Sequence, residues 1–138
     1  MFRHILIAHD GSDVARKAFE VARQLASATG AKLSLLSVVR PPDIGADVET
    51  EAMVERAQKQ FRHLHELLRR EFKDLEQPMH TEIYVGHPAE QILRYADEHQ
   101  IDHIVVGHRG KSALQRWLVG SVSRQVIDHA SCSVTVVR

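Results

Sequence analysis

Apolar and polar residues follow two alternating periods along the chain, one typical of buried strands and one typical of amphipathic helices. The first strand is predicted at Ile5–Ala8, an uninterrupted apolar run that leads into the turn Asp10–Ser12. Apolar residues then recur every three or four positions from Ala15 to Ala26, which predicts one face of a helix that ends at Gly30. The same succession of strand and helix repeats along the rest of the chain.

The remaining elements predict an α/β fold. Further strands are expected at Leu33–Val39, His80–Val85, Ile104–Val106 and Val134–Val137, and helical spacing predicts helices from Met53 to Leu75, from Pro88 to Ala96 and from Val122 to Ala130. A polar stretch from Pro41 to about Glu49 precedes the longest helix. Five strands alternating with four helices indicate a three-layer sandwich with a mainly parallel sheet and helices on both faces. Its 138 residues fit one domain, residues 1–138.

The apolar pattern of each strand also predicts the strand order. The first and fourth strands are continuously apolar, as central strands are, whereas the third and fifth alternate, as half-covered edge strands do. The order 3-2-1-4-5 meets both conditions, whereas 2-1-3-4-5 would bury the third strand. The winding then reverses between strands one and four, where ligands of open α/β sheets bind, and two segments converge there: His9–Ser12 and Gly107–Gly110.

Glycines cluster after the fourth strand and at the start of the last helix. Gly107 and Gly110 flank a loop whose backbone N–H groups can form an anion site, since no Cβ blocks the approach of a ligand. Gly120 opens the last helix, whose first N–H groups lack helical partners and attract phosphate, with the hydroxyls of Ser121 and Ser123 as further donors. The spacing alone is equally compatible with ordinary loop glycines and an ordinary helix start.

Charge supports an anion at this end of the chain. Lys plus Arg and Asp plus Glu both number 18, so the formal net charge is zero, and the basic excess usual in nucleic-acid binders is absent. From Gly107 onward, however, only Asp128 is acidic, against five basic residues: Arg109, Lys111, Arg116, Arg124 and Arg138. The single cysteine excludes an intrachain disulfide, and no targeting or membrane-spanning segment is visible, so a cytoplasmic location is expected.

Two well-known phosphate motifs do not match. Gly110-Lys111-Ser112 ends as a Walker A loop does, but Val105 stands at the first position, where that motif needs glycine. No G-x-G-x-x-G occurs in the chain. The sequence is therefore neither that of a P-loop NTPase nor that of a typical NAD-binding domain.

The spacing Gly107-x2-Gly110-x9-Gly120-Ser121 closely resembles the ATP-binding signature of the universal stress protein family. The resemblance covers nearly the whole chain: the first strand and acidic turn (Ile5–Ser12), the second strand (Leu35–Val39), the entry to the third helix (Gly86–Ala89), the phosphate helix (Val119–Ser123) and the last strand (Val134–Val137). The chain departs from the family pattern at His9, which is bulkier and more polar than many residues before that aspartate. It also has Ser133 where the family usually has proline.

The resemblance implies a Rossmann-like (HUP-type) domain and a placement for ATP. Asp10, with the backbone of Ala8 and His9, would lie beside the ribose and adenine, and the backbone of Val38 would meet the adenine edge. The phosphates would be surrounded by Gly107, Arg109, Gly110, Gly120, Ser121, Val122 and Ser123. Such proteins bind ATP with Mg²⁺ or Mn²⁺ on the phosphates, often form homodimers through the last strand, here Val134–Val137, and act mainly as regulators. Without the resemblance, Asp10 is also compatible with a simple turn or helix-cap role.

Other conspicuous side chains have simpler interpretations. Ten histidines raise the question of a metal, but His63 and His65 are two positions apart, do not share a helical face, and are expected on the solvated surface. His108 lies in the glycine loop, where it either meets phosphate or faces water. Trp117 is expected to pack on the sheet or at a dimer contact, and Cys132 to be a buried structural thiol.

Three functions are compatible with these features. The first is an ATP-binding regulatory domain with at most slow hydrolysis, because the chain has charge clamps but no convincing base beyond Asp10, which would lie beside the sugar. The alternative is a nucleotide-independent dimeric interaction module. A nucleotide-activating ligase or transferase ranks last, because the segment after the first strand lacks the S-G-G-x-D-S or H-x-G-H element of such enzymes.

Overall fold

Five parallel strands and four helices make up the described part of the chain. The computed structural model describes residues 1–43, 47–73, 75, 77–109 and 119–138. The strands are β1 (His4–Ala8), β2 (Lys32–Val39), β3 (His80–Val85), β4 (His103–Gly107) and β5 (Ser133–Val137), and the helices are α1 (Asp13–Thr29), α2 (Val48–Glu71), α3 (Pro88–Glu98) and α4 (Ser121–His129). The sheet has the order β3-β2-β1-β4-β5 with every neighbouring pair parallel. The predicted α/β class and strand order are confirmed.

The two faces of the sheet carry separate apolar cores. Ile5 and Ile7 point to the face of α1 and α2, whereas Leu6 points to the face of α3 and α4, as the two-residue period of a strand requires. All three side chains are completely buried because both faces are covered. β3 and β5 lie at the edges and are only partly buried, as their alternating patterns predicted.

Side chains and backbone geometry set the ends of α1. The hydroxyl of Ser12 accepts a hydrogen bond from the N–H of Ala15 at 3.1 Å and caps the N-terminus. Gly30 ends the helix with φ 72°, a left-handed conformation that glycine adopts without a steric penalty. The predicted end of α1 at Gly30 is therefore confirmed.

The bounds of α2 differ from those predicted. Asp47 caps the helix by accepting from the N–H of Thr50 at 2.8 Å, so α2 begins inside the stretch that was expected to be polar loop. The helix ends at Glu71, and Phe72 and Leu75 therefore lie beyond it. Both side chains still pack against the α1–α2 core. Their apolar spacing reflects continued contact with that core rather than a continued helix.

Histidine–hydroxyl pairs connect neighbouring strands at the amino ends of the sheet. Nε2 of His4 in β1 lies 2.7 Å from Oγ of Ser34 in β2. In β4, the two ring nitrogens of His103 each lie 2.7 Å from a hydroxyl of β5, one from Ser133 and one from Thr135. Ser133 thus gives β5 a side-chain bond to β4 that the proline usual in the resembling family would lack.

A third histidine, paired with a hydroxyl group of β2, joins α2 to the sheet. His65 is only 3% exposed, and its Nε2 lies 2.8 Å from Oγ of Ser37 in β2. The interpretation of His65 as a surface residue is wrong, because α2 turns this side chain toward the sheet, where Ser37 supplies a polar partner. His63, on another side of the helix, is exposed as expected.

These buried or partly buried histidines predict a loss of stability in mild acid. Burial is the main cause that lowers the pKa of His4, His65 and His103, and that of His65 falls from 6.5 to about 4. The unfolded chain binds more protons than the folded chain between these values. The free energy of unfolding should therefore be highest above the ordinary pKa and decrease as the pH falls through this window. Urea-unfolding midpoints measured from about pH 7.5 down to about pH 5, a range above most carboxylate titrations, check this.

The matched variant for this measurement is His65→Gln, which keeps an N–H donor but has no titratable group. Its midpoint should change less with pH than that of the wild type. A wild-type midpoint that stays constant across the window, or an equal decrease in the variant, would contradict the assignment to His65.

Candidate functional site

The carboxyl ends of β1 and β4 lie side by side, because the winding of the sheet reverses between these two strands. β1 leads into the turn before α1, and Gly107 ends β4. Gly107 lies so close to the first turn of α1 that an added Cβ would be 2.7 Å from Cγ1 of Val14. The start of the second predicted segment therefore lies beside the helix that follows the first one, at the reversal of the sheet; Gly110, the last residue of the second segment, lies outside the described residues.

Two hydrogen bonds hold the start of α4 against the end of β4. The N–H of Gly120 donates to the carbonyl oxygen of His108 at 2.6 Å, and the hydroxyl of Ser123 donates to the carbonyl oxygen of Gly107. Ser123 is buried. Its hydroxyl proton, which the sequence suggested as a donor to phosphate, holds α4 in place instead.

Within the described residues, no side chain caps the N-terminus of α4. Gly120 is the N-cap residue, and none of the described side chains accepts a hydrogen bond from the first-turn N–H groups. The start of α3 is likewise without a side-chain cap, whereas Ser12 caps α1 and Asp47 caps α2. Ser121 is exposed, so this end of the helix faces solvent. Uncapped N–H groups carry the positive end of the helix dipole, and they can bind an anion.

His108 holds the side chain of Arg109. The ring is buried, and the backbone N–H and Nδ1 of His108 lie 2.7 Å and 3.3 Å from the carbonyl oxygen of Val137. Because that carbonyl only accepts, Nδ1 carries the proton and Nε2 accepts from Nε–H of Arg109 at 2.9 Å. The ring therefore neither faces water nor has a nitrogen left for phosphate, contrary to both expectations. Sequence gave no signal for this role, because Val137 lies 29 positions away.

The residues at the end of β1 point to opposite faces of the sheet. Ala8 packs at the rim of the α3–α4 core, and so do Val38 and Val122. His9 points to the other face, where its buried ring lies 6.4 Å, centroid to centroid, from that of Phe19. The His9 ring therefore lies away from the surface that Ala8 and Val38 share. A histidine at this position, although it departs from the family pattern, does not narrow that surface.

Asp10 shapes the turn between β1 and α1. Its Oδ1 accepts from the N–H of Ser12 at 3.0 Å, and Nδ1 of His9 accepts from the N–H of Gly11 at 3.0 Å. Gly11 has φ 86°, which favours glycine. Asp10 therefore has the turn role with which its residue type is compatible, and this role uses one of its two carboxylate oxygens. The contact of Asp10 with a ribose stays a prediction.

Val38 lies where β2 extends past β1. Leu36 is the last residue of β2 paired with β1, opposite Ala8, and β2 continues to Val39. On its other side Val38 is paired with Tyr84 of β3. One side of its backbone therefore borders the space beyond the end of β1, which is where the adenine edge was expected.

Several predicted residues lie outside the described part of the chain. These are Gly110 of the glycine signature, the basic residues Lys111 and Arg116, and Trp117. Cys132, by contrast, is described: it is partly rather than fully buried, and burial raises the pKa of its thiol.

Neither a metal cluster nor a membrane span accompanies the site in the described residues. Within those ranges, no three His, Cys, Asp or Glu side chains come close enough to hold a metal ion. None of the described helices is both long enough and apolar enough to cross a bilayer.

Comparison with known proteins identifies the family. The model of the universal stress protein family matches residues 1–138. A universal stress protein of Thermus aquaticus is 36% identical over 140 residues, and YxiE of Bacillus subtilis is 35% identical over 148 residues; both matches cover 100% of each chain. The structure of UspA from Lactobacillus plantarum superposes with a TM-score of 0.93 at 30% identity, covering 99% of this chain and 98% of that one. The chain belongs to the universal stress protein family.

Two more distant structures of this family contain nucleotides. One universal stress protein was crystallised in complex with cAMP; it is 23% identical, with a TM-score of 0.66 over 99% of this chain and 97% of its own. A family protein from Arabidopsis thaliana was solved with AMP bound, at 19% identity and a TM-score of 0.66 over 97% of this chain and 90% of its own. At these identities the likeness to this chain is one of fold.

The contact between Gly107 and α1 predicts a specific steric effect. In Gly107→Ala the new methyl group would collide with Cγ1 of Val14, a branched side chain with little rotational freedom. We expect a loss of about 1–3 kcal/mol in the free energy of unfolding, the usual cost of overpacking, measured by urea denaturation. In a Val14→Ala background the same change should cost clearly less. Equal costs in both backgrounds would contradict the assignment of the collision to Val14.

Proposed function

We propose that this protein is an ATP-binding regulatory domain of the universal stress protein family. The observation that carries the proposal is the uncapped N-terminus of α4, which lies beside Arg109 at the reversal of the sheet. An added Cβ on Gly120 would lie 3.4 Å from Cα of Arg109, so helix start and basic residue adjoin the same space. A helix dipole and a guanidinium together favour a polyanion.

The rest of the nucleotide would lie across the carboxyl ends of β1 and β2. Ala8 and Val38 form a partly buried apolar surface on one face of the sheet, suitable for a purine. Asp10 lies in the turn immediately after β1, and we assign it the contact with a sugar hydroxyl. The complexes of two family members with cAMP and with AMP are in keeping with an adenine nucleotide on this fold.

The phosphates would contact mainly backbone groups. The residues we assign to them are Gly107, Arg109, Gly110, Gly120, Ser121, Val122 and Ser123, with Ser123 also holding α4. Mg²⁺ or Mn²⁺ would be carried on the phosphate oxygens, since Mg²⁺ is commonly held by substrate phosphates and water. Hydrolysis would be slow, because the described part of the site supplies charge and position but no base aimed at an attacking water.

Binding should be visible as a stabilisation that requires ATP. Addition of ATP with Mg²⁺ at about one hundred times its dissociation constant should add about 2.7 kcal/mol to the free energy of unfolding and raise the melting temperature. In single-turnover experiments the bound ATP should be hydrolysed far more slowly than on the order of 1 s⁻¹, the lower range for kinases. An unchanged melting temperature or a kinase-like rate would contradict the proposal.

A graded series at Gly120 tests where the phosphates bind. In Gly120→Ala the Cβ would make only ordinary contacts, at 3.4 Å, with Arg109 Cα and the carbonyl oxygen of His108, so folding should be retained. In Gly120→Val the added methyl groups would occupy the space beside Arg109. We expect ATP affinity, measured by calorimetry, to decrease from glycine to alanine to valine, by about tenfold or more for valine. The same affinity in all three proteins would show that the phosphates lie elsewhere.

The second candidate is a nucleotide-independent dimeric module. It is favoured by β5, which lies at the edge of the sheet and, among the described strands, pairs with β4 alone; its residues Val134–Val137 remain half-buried in the monomer. A homodimer through this strand is part of our proposal in either case, as is a cytoplasmic location. Thermal melting with and without ATP separates the two functions, because the nucleotide-independent module should show no change in melting temperature on ATP addition. Sedimentation velocity tests the homodimer that both functions share.

A further inference from the structure

A chain of hydrogen bonds runs from α2 to the turn that follows β1. Nε2 of His65 lies 2.8 Å from Oγ of Ser37, and this Oγ lies 2.6 Å from the carbonyl oxygen of His9. Since a carbonyl oxygen only accepts, Ser37 donates to His9, and the Ser37 oxygen accepts from Nε2–H of His65. All three residues are buried. We refer to these two hydrogen bonds among His65, Ser37 and His9 as the α2–turn link.

The link sets the orientation of one peptide group at the candidate site. The carbonyl of His9 and the N–H of Asp10 belong to the same planar peptide and point in opposite directions. Because Ser37 holds this carbonyl, it also determines where the N–H of Asp10 points. On the other side of the residue, the N–H of His9 donates to the carbonyl oxygen of Leu36 at 2.9 Å. Hydrogen bonds of both the carbonyl and the N–H of His9 therefore fix the backbone to which the Asp10 side chain is attached.

Few other buried groups hold α2 on the sheet. Of its 24 residues, only His65 and Leu68 are buried. The turns of α2 before Phe61 are exposed or half-buried. The buried hydrogen bond between His65 and Ser37 is therefore a large part of what positions this helix, because its loss would leave a buried polar group unpaired. Because α2 and the turn share Ser37 as their hydrogen-bond partner, a change at one is transmitted to the other.

The ring of His65 in this link is neutral at physiological pH. Burial first, and then the nearby charges of His9 and Arg69, lower the pKa of His65 to about 4. The residue also lines a groove of about 390 Å³ between α2 and β3. Four charged residues of these two elements line the same groove: Arg62, Glu66, Arg69 and Glu82. A neutral ring with its proton on Nε2 suits the donor role that Ser37 requires.

We propose that Ser37 and His65 are positioning residues that couple nucleotide binding at the Ala8–Ser12 turn to the packing of α2 against the sheet. The inference rests on the proposed ATP-binding function. A nucleotide that contacts the Asp10 turn stabilises the packed position of α2, and the packed helix in turn raises the affinity for nucleotide, since such coupling is reciprocal. Through this link, a helix on the surface responds to occupancy of the site.

Ser34 provides a matched control within the same strand. Ser34 and Ser37 are both buried in β2, and each is bonded to a histidine, but Ser34 lies at the amino end of the sheet, away from the turn. Titration calorimetry of the full chain with ATP and Mg²⁺ should show affinity about tenfold weaker in Ser37→Ala, as expected for one lost buried hydrogen bond, and within about twofold of wild type in Ser34→Ala. Hydrogen exchange of Phe61–Leu68 should slow on ATP addition in wild type and Ser34→Ala but not in Ser37→Ala.

A pair of variants at His65 separates positioning from simple packing. His65→Gln can place an amide N–H near the position of Nε2 and should bind ATP within about threefold of wild type, whereas His65→Leu, which cannot donate, should match Ser37→Ala. If Ser37→Ala does not fold, these two His65 variants still test the coupling. Absence of ATP binding by the wild type would refute the proposed function and the coupling with it. Wild-type binding with equal affinities in Ser37→Ala and Ser34→Ala, or in the two His65 variants, would overturn the coupling alone.

Discussion

β1 and β4 pair in parallel at the centre of the sheet, and every part of the candidate site takes its position from that pair. The central residues of both strands are buried because helices cover both faces, so their register cannot shift without moving apolar side chains out of the core. After β1 the chain continues toward one edge of the sheet and after β4 toward the other, since the winding reverses between these two strands. The turn before α1 and the start of α4 consequently lie at the same end of the sheet, and Gly107 lies close to the first turn of α1.

The site that results is built mostly from backbone groups, and side chains act mainly by holding that backbone. Ser123 holds α4 against β4, His108 holds Arg109 against β5, and Ser37 holds the carbonyl of His9. Main-chain N–H groups are available whatever the side chain, whereas the residues that support them can differ among family members.

Histidine bonded to a hydroxyl group is the recurrent polar contact of this protein. At the amino ends of the strands such pairs join β1 to β2 and β4 to β5, and at the carboxyl end the pair of His65 and Ser37 joins α2 to β2. The buried rings remain neutral because charging them would require removing an ion from water. Contacts of one chemical type therefore serve sheet cohesion at one end and the geometry of the candidate site at the other.

The sequence by itself determined the elements, their order in the sheet and the place where two loops converge. These follow from local periodicity and from the burial that a continuous apolar strand such as Ile5–Ala8 demands. It also indicated the glycine-rich turns and the family. Only the tertiary structure decided the roles of His65, His108 and Ser123, because each depends on a partner far along the chain, and residue type does not reveal which buried group will lie opposite. The end of α2 was likewise decided by packing, since Phe72 and Leu75 stay on the core after the helix has ended.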